Sequence, residues 1–207
     1  MAAGLGAAGI WGGMYVVSKV VLEVIPPFTL LTLRLLLGAV VIGVLYILAG
    51  RPGARSGRRK LVLVGLLGYG ISLGLQFVGT RFSTAANAAV VTSASPAFMV
   101  LFGLIILNET VTTRKLASLL LATIGVFIVI DVRSIHLDNQ QFLGNIVLFA
   151  AAITWGLFSV LTRRESFDHD TLTVSFMGFM GGLIVGVPLA GMEAESPPSH
   201  LIEKAGR

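Results

Sequence analysis

No cysteine occurs in the 207-residue sequence, so the chain can build no disulfide, no thiolate metal site and no thiol nucleophile. Charge is almost as scarce. Only 12% of residues are Asp, Glu, Lys or Arg, against about 25% in a soluble globular domain. That is too little to cover a water-facing surface. The three histidines, His136, His169 and His200, fall in connecting segments, and no apolar run carries a carboxylate near its centre. These gaps exclude a His-Glu-x-x-His zinc helix, paired intramembrane aspartates and a serine–histidine pair. No glycine-rich phosphate loop follows a strand. No enzyme activity, catalytic residue, metal or cofactor is expected.

What is present is apolar. Hydrophobic residues make up 55% of the chain, and mean hydropathy is +0.91. The net charge of +5 would suit nucleic acid if the bases shared one surface. They sit instead in short loops between apolar runs, so no nucleic-acid partner is expected and the lipid bilayer is the main surrounding. A helical span takes about 20 apolar residues, and seven stretches qualify, at about 4–22, 28–48, 61–79, 84–107, 115–132, 143–161 and 172–190. MAAGLGAAGI at the start has no basic stretch ahead of it and is read as part of the first span. The runs are too long and too uniformly apolar for barrel strands, which alternate over about 10 residues. The expected fold class is an all-α polytopic membrane protein.

Orientation follows from the bases. The loop RPGARSGRRK holds Arg51, Arg55, Arg58, Arg59 and Lys60 and is expected to be cytoplasmic. Arg114 and Lys115, and then Arg163 and Arg164, fall on the same side. The opposite connections hold Glu23, Arg81, Arg133 and Asp138 and are poorer in bases. The N-terminus is thereby expected inside, as a multi-pass protein of the cell inner membrane. That orientation opposes a hormone-type seven-helix receptor. The seventh span, TLTVSFMGFMGGLIVGVPLA, has no lysine to carry a retinal Schiff base.

Two segments resemble one another. AGIWGGMYVVSK (8–19) and AITWGLFSVLTR (152–163) share Ala8/Ala152, Trp11/Trp155, Gly12/Gly156 and Val16/Val160, and pair Ser18 with Thr162 and Lys19 with Arg163. They lie in spans one and six, an odd number of crossings apart, so a five-helix unit repeated in tandem is inverted across the bilayer. Such repeats are frequent in secondary transporters, with the solute site at their interface. The expected division is a first repeat of five helices over about 1–132, a linker over 133–142, two helices of a second repeat over 143–190 and a polar loop or tail over 191–207. The last three helices of a five-plus-five arrangement are absent from these 207 residues.

Three segments together resemble the EamA branch of the drug/metabolite transporter superfamily. WGGMYVVSKVVLEVIPPFTLLTLRLLLGAV (11–40) is similar to its opening hairpin, with Trp-Gly, a basic residue at the helix end, Pro-Pro and then Arg in helix two. ANAAVVTSASPAFMVLFGLIILNETVTTRKLASLLLATIGVFIV (86–129) resembles its fourth and fifth helices. GNIVLFAAAITWGLFSVLTRR (144–164) resembles the start of its second repeat. The resemblance implies alternating-access transport of small polar metabolites without ATP, and efflux of amino acids or related compounds.

On helix one, Trp11, Tyr15, Ser18 and Lys19 lie within an arc of about 100°. They read either as a packing stripe with an interfacial lysine or as a cavity wall. Gly9 and Gly13 lie off that arc and suit close approach of a neighbouring helix. Arg34 interrupts an apolar span. Either it ties outer helix ends together by pairing with Glu23, Asp131 or carbonyls, or with Lys19 it gives the cavity a positive field. On helix four, Thr84, Asn87, Thr92 and Ser95 cover an arc of about 140° beside Pro96, which frees a carbonyl. Gln76 is a further polar candidate, and Trp155 and Ser159 complete the candidate cavity from helix six. Glu109 reads as a solvated ion pair near Arg114 and Lys115. Gly178, Gly182 and Gly186 mark a close-packing face for another helix of this chain, for the missing helices or for a second copy. The alternative to a transporter is a non-transporting protein or subunit that packs on another half, as a homodimer or with the missing segment.

Overall fold

The computed structural model describes residues 2–50, 57–110 and 139–195, with residues 112, 113, 115–117, 119–121 and 124 between them. The described part is helical throughout, without strands. α1 is Ala2–Val21 and α2 is Pro27–Leu48. A long rod follows, made of α3 (Arg58–Gly65), a wide π turn (Leu66–Ser72) and α4 (Leu73–Phe82). α5 (Ala85–Thr92) and α6 (Ser95–Leu107) form the next crossing, then α7 (Asn139–Glu165) and α8 (Thr171–Glu195). Among the described residues, five crossings are long and apolar enough to traverse a membrane: Pro27–Leu48, Arg58–Phe82, Ala85–Leu107, Gln140–Glu165 and Thr171–Glu195. Expected helix five falls largely outside the described residues, although those described from 115 to 124 are helical. The basic loop at 51–56, Arg114, Asp131 and the tail beyond 195 also lie outside them.

The fourth crossing, expected as one helix, is broken. Pro96 has no N–H for the carbonyl of Thr92, and the Ser95 hydroxyl donates to that carbonyl instead, at 2.6 Å. Ser93 Oγ donates to Val90 O at 2.5 Å, and Thr92 Oγ1 to Ala88 O at 2.6 Å. Hydroxyls therefore satisfy the backbone where the helical ladder stops, as a membrane interior requires. Beyond α6, Asn108 ends the helix in the left-handed conformation at φ 50°, one that Asn tolerates.

α2 and α8 pack along their whole length, and the α3–α4 rod crosses α8 with its first half and α7 with its second. Glycines set these distances. Gly178 and Gly181 bring α8 against the backbone of Gly65 and Val62, with no room for a Cβ between them. A Cβ on Gly182 would stand 2.7 Å from Tyr69 Cβ and 2.8 Å from Leu35, and one on Gly186 2.8 Å from Thr32 Oγ1. Of the three partners open for the Gly178, Gly182 and Gly186 face, the structure therefore gives other helices of this chain. Gly9 and Gly13 differ from expectation, with no atom of the described residues within 4 Å of a Cβ built there. Leu22, Leu31, Leu35, Leu73 and Phe77 form the core, with Phe28, Tyr69, Trp155 and Phe179 packed round it.

α2 starts at Pro27 with no side-chain cap of its own. Glu193, near the end of α8, supplies one. Its carboxylate accepts from Phe28 N at 3.1 Å, from Thr29 N at 2.8 Å and from the Thr29 hydroxyl at 3.0 Å. A carboxylate on orphan N–H groups at the positive end of a helix is favourable. Glu193→Ala is expected to cost about 1–2 kcal/mol, read as an earlier unfolding midpoint in mixed micelles; an unchanged midpoint would remove the cap from the account.

Candidate functional site

α1, α4, α5, α6 and α7 enclose a groove of about 440 Å³ at mid-length. α1 contributes Trp11, Gly12 and Tyr15; α4 contributes Gln76. Ala89, Thr92, Ser93, Ser95, Pro96 and Met99 come from the broken crossing, and Ala151 and Trp155 from α7. None of these side chains is ionised. The break in the fourth crossing is what turns Thr92, Ser93 and Ser95 into one wall. Tyr15 crosses to it, with its hydroxyl 2.6 Å from Thr92 Oγ1. Thr92 already gives its proton to Ala88 O, so Tyr15 is the donor. Trp11 and Trp155 meet across the groove, their ring centroids 5.3 Å apart and tilted by 43°.

Of the candidates from the sequence, the groove brings together Trp11, Tyr15, Gln76, Thr92, Ser95 and Trp155. It does not include Ser18, Lys19, Arg34, Thr84, Asn87 or Ser159. Ser18 is buried on α1. Thr84 caps α5, accepting from Asn87 N at 3.1 Å, and Ser159 Oγ donates to Trp155 O at 2.8 Å. Lys19 donates to the carbonyls of Thr80, Arg81 and Ser83 at 3.1, 2.8 and 2.5 Å. All three ammonium protons go to the end of α4, where carbonyls lack helical partners and carry partial negative charge. Beside it Lys19, Leu22, Glu23 and Arg81 line a separate hollow of about 270 Å³. Arg34 lies with its guanidinium carbon 5.9 Å from the Phe77 ring centroid, and among the described residues it makes no ion pair with Glu23. The two cations thus stand outside the groove's lining. Sequence reasoning missed Ser93 and Met99, although Ser93 sits three residues before the Pro96 that signals the break.

At the opposite end of the helices, Glu109 pairs with Lys115 at 2.7 Å and with Arg163 at 2.6 Å. Lys115 was within sight of the sequence reading; Arg163, from α7, was not. The Lys115 hydrogen bond, with the nearby Arg163 charge, holds the Glu109 carboxyl below its usual 4.5. The contribution of this tie is therefore complete above that value and lost as pH falls through the lowered one. The melting temperature of the chain minus that of Glu109→Gln should be constant at neutral pH and shrink below about pH 4.5. A difference that does not move with pH would show the tie to be thermodynamically silent.

Membrane-length helices packed round a polar, aromatic-walled groove at mid-depth define a polytopic helical membrane protein. The profile of the EamA-like transporter family matches residues 1–131, and the chain belongs to that family. It is 28% identical over 195 residues to an uncharacterized transporter of Archaeoglobus fulgidus, covering 91% of this chain and 66% of that protein. Proteins of Salmonella typhimurium and Escherichia coli, each named a probable amino-acid metabolite efflux pump, are 29% identical over 161 and 168 residues. They align with 75% and 78% of this chain and 50% and 52% of their own length. The chain thus spans between half and two thirds of these relatives. A solved crystal structure shares the fold at a TM-score of 0.65 and 21% identity, over 93% of this chain and 69% of that one.

Proposed function

We propose that the chain forms most of a secondary transporter for small polar metabolites, of the amino-acid efflux kind, working by alternating access in a cell inner membrane with its N-terminus cytoplasmic. The observation that carries this reading is the meeting of Trp11 and Trp155 across the groove. These two residues are counterparts in the internal repeat. α1 and α7 run in opposite directions, so Lys19 and its counterpart Arg163 stand at opposite ends of the molecule, on the end of α4 and on Glu109 respectively. That is the arrangement an inverted repeat produces round a central axis. It supports a five-plus-five design whose remaining helices wall the open side of the groove. The groove is neutral, with one amide, several hydroxyls and aromatic faces. It suits a solute that is zwitterionic or uncharged better than a net anion, since no cation in it would offset the charge.

The test is counterflow of labelled amino acids in proteoliposomes, with the chain alone and coexpressed with a full-length relative. Trp11→Ala, Tyr15→Phe and Ser95→Ala are expected to change flux without loss of membrane insertion; unchanged flux in all three would remove the groove as the solute site. The second reading is a non-transporting protein or a subunit that packs on another transporter half. Flux that appears only on coexpression would select it.

A further inference from the structure

A second, smaller cavity of about 80 Å³ lies between the α3–π segment, α7 and α8, toward the Glu165 end of the molecule. Its walls carry Tyr69, Phe158, Thr162, Glu165, Ser166 and Ser175. Thr162 Oγ1 is buried there without a hydrogen-bond partner. A buried hydroxyl left unmatched in a polar hollow is a place for a water or a ligand group. The cavity and the groove are near neighbours on α7. Trp155 lines the groove and Phe158, one turn further, lines the cavity, with their rings 5.0 Å apart. Phe158 then meets Tyr69 edge-on at 5.1 Å, and Tyr69 meets Phe179 at 4.7 Å.

Glycines seat this ring stack. Phe158 lies directly against Gly68, where a Cβ would overlap it, and Tyr69 lies against Gly178 and Gly182 at 2.8 and 2.7 Å from the Cβ positions. Tyr69 is carried by the π turn Leu66–Ser72, a wide turn of the kind that concentrates at functional sites. The two spaces share no lining residue among those described; the contact of Trp155 on the groove side with Phe158 on the chamber side joins their walls. We infer that the small cavity is a second chamber on the solute path, and that the Phe158–Tyr69 ring pair is the partition closing the groove from the Glu165 end. The chamber offers a carboxylate and hydroxyl oxygens, so it takes a hydrogen-bond-donating group of the passing solute, such as an ammonium. It has room for only a few waters, so a solute passes through it rather than resting whole inside it.

This inference rests on the transport reading, but its test does not need flux. Because the chain has no cysteine, Ser95→Cys and Thr162→Cys are each a sole thiol, one in the groove and one in the chamber. Labelling with a membrane-impermeant cationic thiol reagent is followed in sealed vesicles with the reagent on the Glu165 side. Thr162→Cys, buried in the chamber wall, should react slowly, and Ser95→Cys more slowly still. Adding Phe158→Ala should speed Ser95→Cys by on the order of tenfold, while Phe158→Leu, which fills more of the space, should speed it less. Gel-filtration profiles in detergent show that each variant is folded. Equal Ser95→Cys rates in folded Phe158→Ala and its parent, or an inert Thr162→Cys, would overturn the partition. Normal flux with unchanged labelling would fell this inference alone; absent flux with the expected labelling would fell the transport reading alone.

Discussion

Gly65→Leu should leave almost no folded protein in detergent extracts, while Gly191→Leu should behave as the parent. A Cβ on Gly65 would run into the backbone of Gly178, not into a side chain that can turn away, whereas nothing lies within 4 Å of one on Gly191. Crowding in a close-packed interior costs about 1–3 kcal/mol when neighbours can relax. Here a whole helix must move, and α8 is held on its other side by α2 through Gly38, Gly43 and Gly186. The cost should therefore approach the net stability of a typical domain, about 5–15 kcal/mol. The fraction of monodisperse protein and its melting temperature measure this. Gly65→Leu with a melting temperature like that of Gly191→Leu would mean that α3 and α8 are not in backbone contact.

Trp155→Ala should lower the apparent affinity for transported solute by about tenfold, as should Trp11→Ala, and the double variant should lose far less than the product. An aromatic pair in contact contributes roughly 0.5–1.5 kcal/mol beyond its buried area, and both substitutions destroy the same pair, whose centroids are 5.3 Å apart. Neighbours in contact fail to add. Concentration dependence of counterflow for the parent, both single variants and the double measures the coupling. Strict multiplication of the two single effects would show that the tryptophans act on the solute separately.

Much of this was legible in the chain. Hydropathy pointed to an all-helical membrane protein, and five of the seven expected spans coincide with helices long and apolar enough to cross among the described residues. The polar arc with Pro96 pointed to Thr92 and Ser95, since a proline inside a span leaves a carbonyl that something must satisfy. Helical spacing put Trp11, Tyr15, Ser18 and Lys19 on one arc and left a packing stripe or a cavity wall open; Trp11 and Tyr15 line the groove. The cations did not follow, and for a physical reason. Sequence shows that Lys19 needs oxygen partners but not that the carbonyls of Thr80, Arg81 and Ser83 will be within reach. The cap that Glu193 places on α2 is equally silent, because donor and acceptor lie 164 residues apart. The π turn Leu66–Ser72 has no residue signature of its own; the backbone shows it, and it carries Tyr69 between Phe158 and Phe179.

The grip of Lys19 on the end of α4 also sets the mechanics of α1. That helix is anchored at Lys19 and tied again one turn further in by Tyr15 to Thr92, while Gly6, Gly9, Gly12 and Gly13 have no described atom within 4 Å of their Cβ positions. Its firmest fulcrum is an ammonium on three carbonyls. Trp11 stands eight residues from that fulcrum, a lever arm of about 12 Å, so a tilt of about 10° swings its ring by roughly 2 Å. The same small rotation leaves the fulcrum almost still. One aromatic wall of the groove is thereby carried on a sparsely packed helix, and the opposite wall, Trp155, on the packed body of the molecule.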